Sequence, residues 1–246
     1  MVRIFPNLET LSHAAAETFI TIANESTEQR GQFFVALNGG GTPKRLFELL
    51  ASAPDKMDWS RTHVFWGDER MVPADDPENC YGMAKRILLD HVAIPADHIH
   101  RVRTDLAPSE AVADYIRTLE RFASPPLAWP QFDLILLGMG DDGHTASLFP
   151  GSSVDGSDPA ISVTADYQGR PANRVTLTPL VFNSARDVIF MATGASKAEA
   201  LKRVLNGDSE VQFPAARIHP TDGNITWFVD EVAAQKLYHQ SEEQKL

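Results

Sequence analysis

Residues 132–145 read FDLILLGMGDDGHT, an apolar run followed directly by a glycine-rich turn. The run 132–137 is short, rich in Leu, Ile and Phe, and ends at a glycine, which is typical of a buried strand in a parallel sheet. Similar runs occur at residues 33–37, 62–66, 187–192 and 225–229. Helical patterns lie between these runs, so the sequence predicts an α/β fold with a mostly parallel sheet covered on both faces.

The helical patterns are defined by apolar residues that share one face of a helix. One face carries Leu8, Leu11, Ala15, Phe19 and Ile22, and another carries Val112, Tyr115, Ile116, Leu119 and Phe122. A further helix is expected to start with Ser196 as its N-cap and to end before Gly207. We predict one domain over residues 1–246, with a small lid around residues 70–105 as the alternative. Residues 240–246 are expected to fray.

Composition and charge limit the classes of partner. The 246 residues are 43% hydrophobic, which is enough for a sizeable core, and the net charge of −11 argues against nucleic acid or an anionic membrane. A local group of cations could still bind an anionic small molecule. The single cysteine, Cys80, allows no intrachain disulfide, and the N-terminus lacks the pattern of a signal peptide. We therefore expect a cytoplasmic protein without a membrane span, either a monomer or a small homo-oligomer.

The first informative loop, NGGGTP at residues 38–43, follows the run 33–37. Ligands of open parallel sheets bind beyond the carboxyl ends of the strands. Thr42 is a good N-cap and Pro43 suits the first helical position, while Gly39, Gly40 and Gly41 offer bare N–H groups beside a helix N-terminus. The loop is therefore a candidate phosphate cradle, although it could equally be a flexible strand–helix connection.

Polar residues follow other strands as well. In the loop WGDER at residues 66–70, Asp68 could bind sugar hydroxyls and Arg70 an anion, unless the segment is a solvated turn. Arg174 and Lys197 are further candidate anion ligands. A lysine at a predicted helix N-terminus is unfavourable for the helix dipole, and a bound anion would relieve that cost. Either cation could instead be a solvated surface residue.

The turn at residues 138–145 places Asp142 two residues before His144. A carboxylate beside an imidazole can fix its tautomer and raise its basicity, so this pair is the candidate general base. An isolated histidine is more often structural, but this one lies beyond a buried strand and next to two aspartates. We therefore predict that His144 and Asp142 are catalytic.

Other chemistries fit less well. The three glycines at 138–143 match the dinucleotide fingerprint, and Asp166 could be its acidic ribose ligand, but the adjacent aspartates would repel a pyrophosphate and Pro150 would cut the next helix short. The segment DHIH at residues 97–100 could ligate a metal, yet no third ligand with recognisable spacing follows. Cys80 has no obvious base partner, and no Gly-x-Ser-x-Gly elbow exists. We expect no metal.

Taken together, the loops resemble the 6-phosphogluconolactonase family. The matching segments, in chain order, are residues 38–43, 66–70, GMGDDGHTASLFP at 138–150, RVTLT at 174–178 and Lys197-Ala198. The resemblance covers nearly the whole chain, and its specific part is residues 138–150. It differs in the first loop, where Asn38 and Gly41 stand in place of the family's usual serines, so phosphate binding would depend on backbone N–H groups, Thr42 and the cations.

The resemblance implies a three-layer α/β/α, Rossmann-like fold shared with glucosamine-6-phosphate deaminase. It also implies hydrolysis of 6-phosphoglucono-δ-lactone to 6-phosphogluconate, the second step of the oxidative pentose phosphate pathway, without a metal or organic cofactor. The phosphate would lie in the loop 39–42 with Lys197 and Arg174, and Arg70 would contact either the phosphate or the lactone carbonyl. His144, oriented by Asp142, would remove a proton from the attacking water.

Two alternatives remain at this point. The deaminase shares the same loops, but its corresponding segment ends in Asn-Glu-Pro, and that glutamate takes part in opening the sugar ring. Phe149 occupies the position here, and a phenyl ring cannot transfer a proton, which favours the lactonase. A non-catalytic sugar-phosphate sensor could keep the cradle and lose His144, but it would need an effector region such as a helix-turn-helix, and none precedes the first predicted strand.

Overall fold

The computed structural model describes residues 1–152, 156–207 and 213–237, so the prediction for residues 240–246 lies outside the described residues. Its strands are β1 (Val2–Phe5), β2 (Phe33–Leu37), β3 (Thr62–Trp66), β4 (Asp68–Arg70), β5 (Ile99–His100), β6 (Leu134–Gly138), β7 (Ala160–Thr164), β8 (Asn173–Leu177), β9 (Asp187–Ala192) and β10 (Asn224–Asp230). Its α-helices are α1 (Leu8–Arg30), α2 (Pro43–Ser52), α3 (Cys80–Ile87), α4 (Pro108–Glu120), α5 (Pro179–Phe182), α6 (Ala198–Leu205) and α7 (Glu231–Ala234). None of the described helices is both long enough and apolar enough to cross a bilayer.

Within the described residues, the main sheet has seven strands in the order β1-β10-β9-β6-β2-β3-β5. All neighbouring strands in it are parallel. The five strands predicted from the sequence are the five inner strands, whereas the edge strands β1 and β5 were not predicted. The chain proceeds from β2 towards β3 on one side and from β6 towards β9 and β10 on the other. The order therefore reverses between β2 and β6.

Side chains of each inner strand alternate between two hydrophobic cores. In β6, Leu134 and Leu136 pack in the core that contains α1, α2 and α3, while Ile135 and Leu137 pack in the core that contains α4, α6 and α7. Alternation of this kind follows from the two-residue period of a strand. The predicted three-layer α/β/α architecture with a mostly parallel sheet is confirmed.

A second, antiparallel sheet was not predicted. It has the order β4-β8-β7, and it pairs Arg70 with Arg174 and Asp68 with Thr176. Residues 68–70 were expected to be a loop, and this expectation is wrong. The chain turns at Gly67, whose N–H donates to Leu37 O and whose O accepts from Leu177 N, and it then leaves the main sheet to pair with β8.

Two predicted helix starts differ in detail. Thr42 occupies the N-cap position of α2, but its side chain makes no capping hydrogen bond, and its backbone is already helical. Ser196 does not cap α6, because a 3₁₀ turn at Ala195–Lys197 precedes the helix and puts Lys197 at the N-cap position. The predicted buried face of α1 is present in Leu11, Ala15 and Phe19.

Residues 70–105 contain α3, which packs in the core of α1 and α2, and the edge strand β5. The single domain over residues 1–246 and the alternative lid around residues 70–105 both stay predictions.

Candidate active site

The loops after β2 and β6 meet at the point where the strand order reverses. This is the usual position of a ligand site in an open parallel sheet. A Cβ added to Gly138 would lie 3.3 Å from Nδ2 of Asn38, so the two loops are in close contact. Between them lies a cavity of about 260 Å³. Small-molecule sites typically measure roughly 300–1,000 Å³, so this cavity suits a monosaccharide phosphate better than a dinucleotide.

Most of the residues predicted from the sequence as site residues line this one cavity. They are Gly39, Gly40, Gly41, Thr42, Asp68, Arg70, His144, Arg174 and Lys197. Asp142, the remaining one, lies directly behind His144. Residues as far apart in the sequence as Gly39 and Lys197, 158 positions, are thereby brought around a single cavity.

The histidine and its carboxylate form a close pair. Nδ1 of His144 lies 2.6 Å from Oδ1 of Asp142, and the backbone N–H of His144 donates to the same oxygen at 3.0 Å. Burial raises the pKa of Asp142, but the hydrogen bonds and the charge of His144 lower it more, so the net pKa is below the ordinary value. An ionised Asp142 accepts a hydrogen bond from the protonated Nδ1 of His144. The lone pair on Nε2 is then available as a base.

Gly140 is required by the close packing of this pair. A Cβ at this position would overlap both Nδ1 of His144 and Oδ1 of Asp142. Ala146, which lines the cavity two residues after the histidine, has a φ of 49°, a left-handed conformation that is rare outside glycine. Strained backbone of this kind is concentrated at functional sites.

Two arginines are buried at the cavity wall. Arg174 is 2% exposed, and its Nη2 has no hydrogen-bond partner among the described residues, while its Nε donates to Pro171 O at 3.0 Å. Burial lowers the pKa of Arg174, and the neighbouring charge of Arg70 lowers it further. Arg70 is 9% exposed and donates from Nη1 to Glu78 O at 2.7 Å, but its Nε is also buried without a partner. Unpaired guanidinium N–H groups at a cavity wall are suited to an anionic ligand.

The glycine loop packs against these cations. A Cβ on Gly39 would overlap Sγ of Cys80 and would lie 3.6 Å from Nη1 of Arg70, so glycine is needed for this close approach. Gly40 has a φ of 100°. The Thr42 hydroxyl does not cap α2 and lies 3.4 Å from Oγ1 of Thr193. Because Thr42 lines the cavity, this hydroxyl is suited to contact a ligand.

Lys197 lines the same cavity from the start of α6 and is partly buried. Burial lowers its pKa, and the charges of Asp141 and Asp142 oppose that shift. No hydrogen bond or ion pair to the ammonium group is found within the described ranges. The predicted position of Lys197 at a helix N-terminus is confirmed, and the residue is positioned to bind an anion.

Buried carboxylates support the second sheet beneath the cavity. Oδ2 of Asp68 accepts a hydrogen bond from the Ser147 hydroxyl at 2.7 Å. Glu69 is fully buried and accepts from the backbone N–H groups of Arg70, Cys80 and Tyr81 at 2.7–2.8 Å. Burial raises the pKa of Glu69 to about 7 even though these three hydrogen bonds lower it. Glu69 thus joins β4 to the N-terminus of α3 and holds Arg70 in place.

The sequence analysis missed several cavity residues, three of which lie in one turn. Tyr167, Gln168 and Arg170 lie in the connection between β7 and β8 and face the site from the side opposite the main sheet. A signal for them was present, because Gly169 and Pro171 mark a turn between two short segments of alternating pattern, which is typical of a hairpin.

The structure also bears on the two disfavoured alternatives, the dinucleotide site at residues 138–143 and the metal site at residues 97–100. Residues 139–152 form turns without a helix, so the glycines at 138–143 do not lead into the helix that binds a pyrophosphate. The rings of His63 and His98 stack with centroids 3.9 Å apart, and the rings of His63 and His100 are nearly parallel. In the part of the chain that is described, no three or more His, Cys, Asp or Glu side chains converge on a common point.

An acid–base pair and several cations around one cavity, at the reversal point of an α/β sheet, define an enzyme for a small anionic substrate. The family model of glucosamine-6-phosphate isomerases/6-phosphogluconolactonase matches residues 6–227. The chain therefore belongs to this family.

Relatives of known name agree with this assignment. A 6-phosphogluconolactonase of Nostoc sp. is 38% identical over 239 residues, which cover 96% of this chain and 98% of that protein. The crystal structure of 6-phosphogluconolactonase from Trypanosoma brucei superposes with a TM-score of 0.85 at 30% identity, covering 96% of this chain and 98% of that one. A monomeric glucosamine-6-phosphate deaminase shares the fold, with a TM-score of 0.83 at 21% identity over 96% of this chain and 99% of that one.

Proposed function

We propose that this protein hydrolyses 6-phosphoglucono-δ-lactone to 6-phosphogluconate. The observation that supports this most is that one cavity is lined both by His144, which is paired with Asp142, and by the buried Arg174, whose Nη2 has no hydrogen-bond partner among the described residues. The first is suited to activating water, and the second is suited to holding a phosphate. The relatives that are named 6-phosphogluconolactonase over nearly the full length support the same assignment.

His144 carries both proton transfers in this proposal. Nε2 of His144 removes a proton from water, and the resulting hydroxide attacks the lactone carbonyl carbon to form a tetrahedral intermediate. When the bond between this carbon and the ring oxygen breaks, the imidazolium returns the proton to that oxygen, which becomes the hydroxyl group of the product. Asp142 keeps Nδ1 protonated and stabilises the imidazolium.

The phosphate anchors the substrate on the cations. Arg174, Arg70 and Lys197 line the cavity, and so do residues 39–42 of the glycine loop. A phosphate oxygen accepts two hydrogen bonds well from a guanidinium fork, which would satisfy the Nη2 group of Arg174. Binding energy from this remote group positions the carbonyl carbon beside Nε2 of His144.

Phe149 argues against deaminase chemistry at this site. Its ring packs against the imidazole of His144 with centroids 4.7 Å apart and lies under the guanidinium of Arg174. A phenyl ring at this distance can orient the histidine but cannot exchange a proton with the substrate. Ring opening of an amino sugar requires such an exchange, whereas lactone hydrolysis requires only the single base.

The test is acid release from the lactone at constant pH, measured against its spontaneous hydrolysis. We expect a protein-dependent rate with 6-phosphoglucono-δ-lactone and a much higher KM with unphosphorylated glucono-δ-lactone, which is the matched control for the phosphate anchor. Glucosamine 6-phosphate should release no ammonia. Ammonia release, without lactone opening, would reassign the protein to the deaminase branch of the family.

Because His144 performs both proton transfers, no metal has a role in the proposed mechanism. Activity should therefore survive exhaustive treatment with EDTA followed by gel filtration. Loss of turnover that zinc or magnesium restores would contradict the mechanism.

We also propose a cytoplasmic location and a monomeric or small homo-oligomeric state, with no nucleic-acid partner. The free, buried thiol of Cys80 stays reduced most readily in that compartment. Fractionation of cells and light scattering of the purified protein measure these two properties directly.

A further inference from the structure

The turn between β7 and β8, residues 165–172, closes the cavity on the side away from the main sheet. Its cavity-lining residues are Tyr167, Gln168 and Arg170. Gln168 has a φ of 52°, a left-handed conformation that costs free energy for a residue with a side chain. The strained residue therefore lies at the tip of a turn whose side chains face the site.

The ring of Tyr167 contacts the proposed base. Its centroid lies 4.6 Å from that of His144, edge to face at 76°. Phe149 covers the imidazole on another side, and Gly140 lies against its Nδ1 edge. The single hydrogen bond to Asp142 fixes the tautomer of His144, but it leaves the ring free to tilt about that bond. The two aromatic rings restrict this tilt.

The hydroxyl of Tyr167 has a separate partner. It donates to Oδ1 of Asp141 at 2.6 Å, while Nε2 of Gln168 donates to the other carboxylate oxygen at 3.3 Å and to the tyrosine hydroxyl at 3.0 Å. The hydrogen bond from Tyr167 is the main reason that the pKa of Asp141 is lowered. Both oxygens of an ionised Asp141 are thus engaged by the turn.

Asp141 belongs to the same loop as Asp142 and His144. Its hydrogen bonds to Tyr167 and Gln168 therefore hold the turn, and with it the ring of Tyr167, against the loop that carries the imidazole.

We infer that Tyr167 is a positioning residue whose ring orients the imidazole of His144. The inference deepens the proposed lactone hydrolysis and depends on it for the kinetic part of its test. The ring and the hydroxyl can be distinguished, because one substitution removes the hydroxyl alone and another removes both.

Tyr167→Phe removes the hydroxyl and keeps the ring. We expect kcat and KM within about 3-fold of the wild-type values, because the ring that contacts His144 is retained. Tyr167→Ala removes both, and kcat should fall roughly 10- to 100-fold because a displaced catalytic group loses rate steeply. Tyr81→Phe is the matched control, since Tyr81 lies outside the cavity and packs against Trp66; its kinetics should be those of the wild type.

The imidazole is observed directly through the ¹⁵N resonances of His144. They should be unchanged in Tyr167→Phe and shifted in Tyr167→Ala. Wild-type kcat in Tyr167→Ala, or a reduced kcat with unshifted resonances, would overturn the action on His144. The NMR measurement needs no turnover, so a wild-type protein without lactonase activity would refute the proposed function and leave the action of Tyr167 on His144 testable.

Discussion

Replacing Arg174 with methionine should weaken substrate binding severely without unfolding the protein. Methionine fills a similar volume but offers no N–H group to the cavity. If Nη2 of Arg174 binds the phosphate, the loss of a charge-assisted hydrogen bond costs about 1.5–3 kcal/mol, which is a rise in KM of roughly 10- to 150-fold. The kcat should change less, because His144 and Asp142 are untouched.

The effect on stability separates this explanation from a structural one. Removing the unpartnered N–H group and its repulsion from Arg70 relieves about 1–3 kcal/mol in the free protein. The variant loses the bond from Nε to Pro171 O and the contact with Phe149, which together contribute about 2–4 kcal/mol. These terms nearly cancel. At about 2–4 °C per kcal/mol for a chain of this size, Tm should stay within about 4 °C of the wild type.

The assays are steady-state kinetics with the phosphorylated lactone and thermal melts with and without inorganic phosphate. Phosphate should raise the Tm of the wild type more than that of Arg174→Met. Arg103→Met is the control, since Arg103 pairs with the exposed Asp105 outside the cavity. An unchanged KM would refute the anchor, and a drop in Tm of about 10 °C or more would show that Arg174 is mainly structural.

Three further predictions concern the base, its packing and the response to acid. His144→Asn should keep KM and lower kcat by roughly 10²- to 10⁴-fold; near wild-type kcat in a folded variant would leave His144 structural. Gly140→Ala places a methyl group where Nδ1 of His144 lies, so kcat should fall at least about 10-fold, and an unaffected rate would mean that the loop adapts without loss. Burial lowers the pKa of His63 and His100 to about 4, so the unfolded chain binds more protons below about pH 6.5. The free energy of unfolding should therefore fall as the pH drops from about 6.5 towards 4, as urea titrations can measure, and His63→Phe/His100→Phe should flatten this dependence.

The main sheet was predictable because each of its inner strands is a short apolar run that ends at a polar or glycine-rich loop. Parallel strands place their carboxyl ends at one edge, so the loops 38–43 and 138–145 had to lie near each other once the strand order was known. The order itself was not in the local pattern. The position of β2 between β6 and β3 depends on packing between elements distant in sequence.

The second sheet was missed for a different physical reason. Asp68, Glu69 and Arg70 read as a solvated turn, yet all three are buried. Each has a specific partner that the local sequence does not reveal: Ser147 for Asp68, three backbone N–H groups for Glu69, and Glu78 for Arg70. Charged residues become buried only when such partners are present, and the partners lie up to 79 positions away.

The same buried charges explain how a chain of net charge −11 can bind an anion. Long-range repulsion between the acidic surface and a phosphate is screened over about 8 Å at physiological salt. Inside the cavity the screening is weaker, and the carboxylates near Arg70, Arg174 and Lys197 are already engaged by Ser147, His144 or Tyr167. Among the described residues that line the cavity, Arg70 and Arg174 have buried N–H groups without partners. Local hydrogen bonding therefore decides which charged groups can bind the ligand, and the net charge of the whole protein does not.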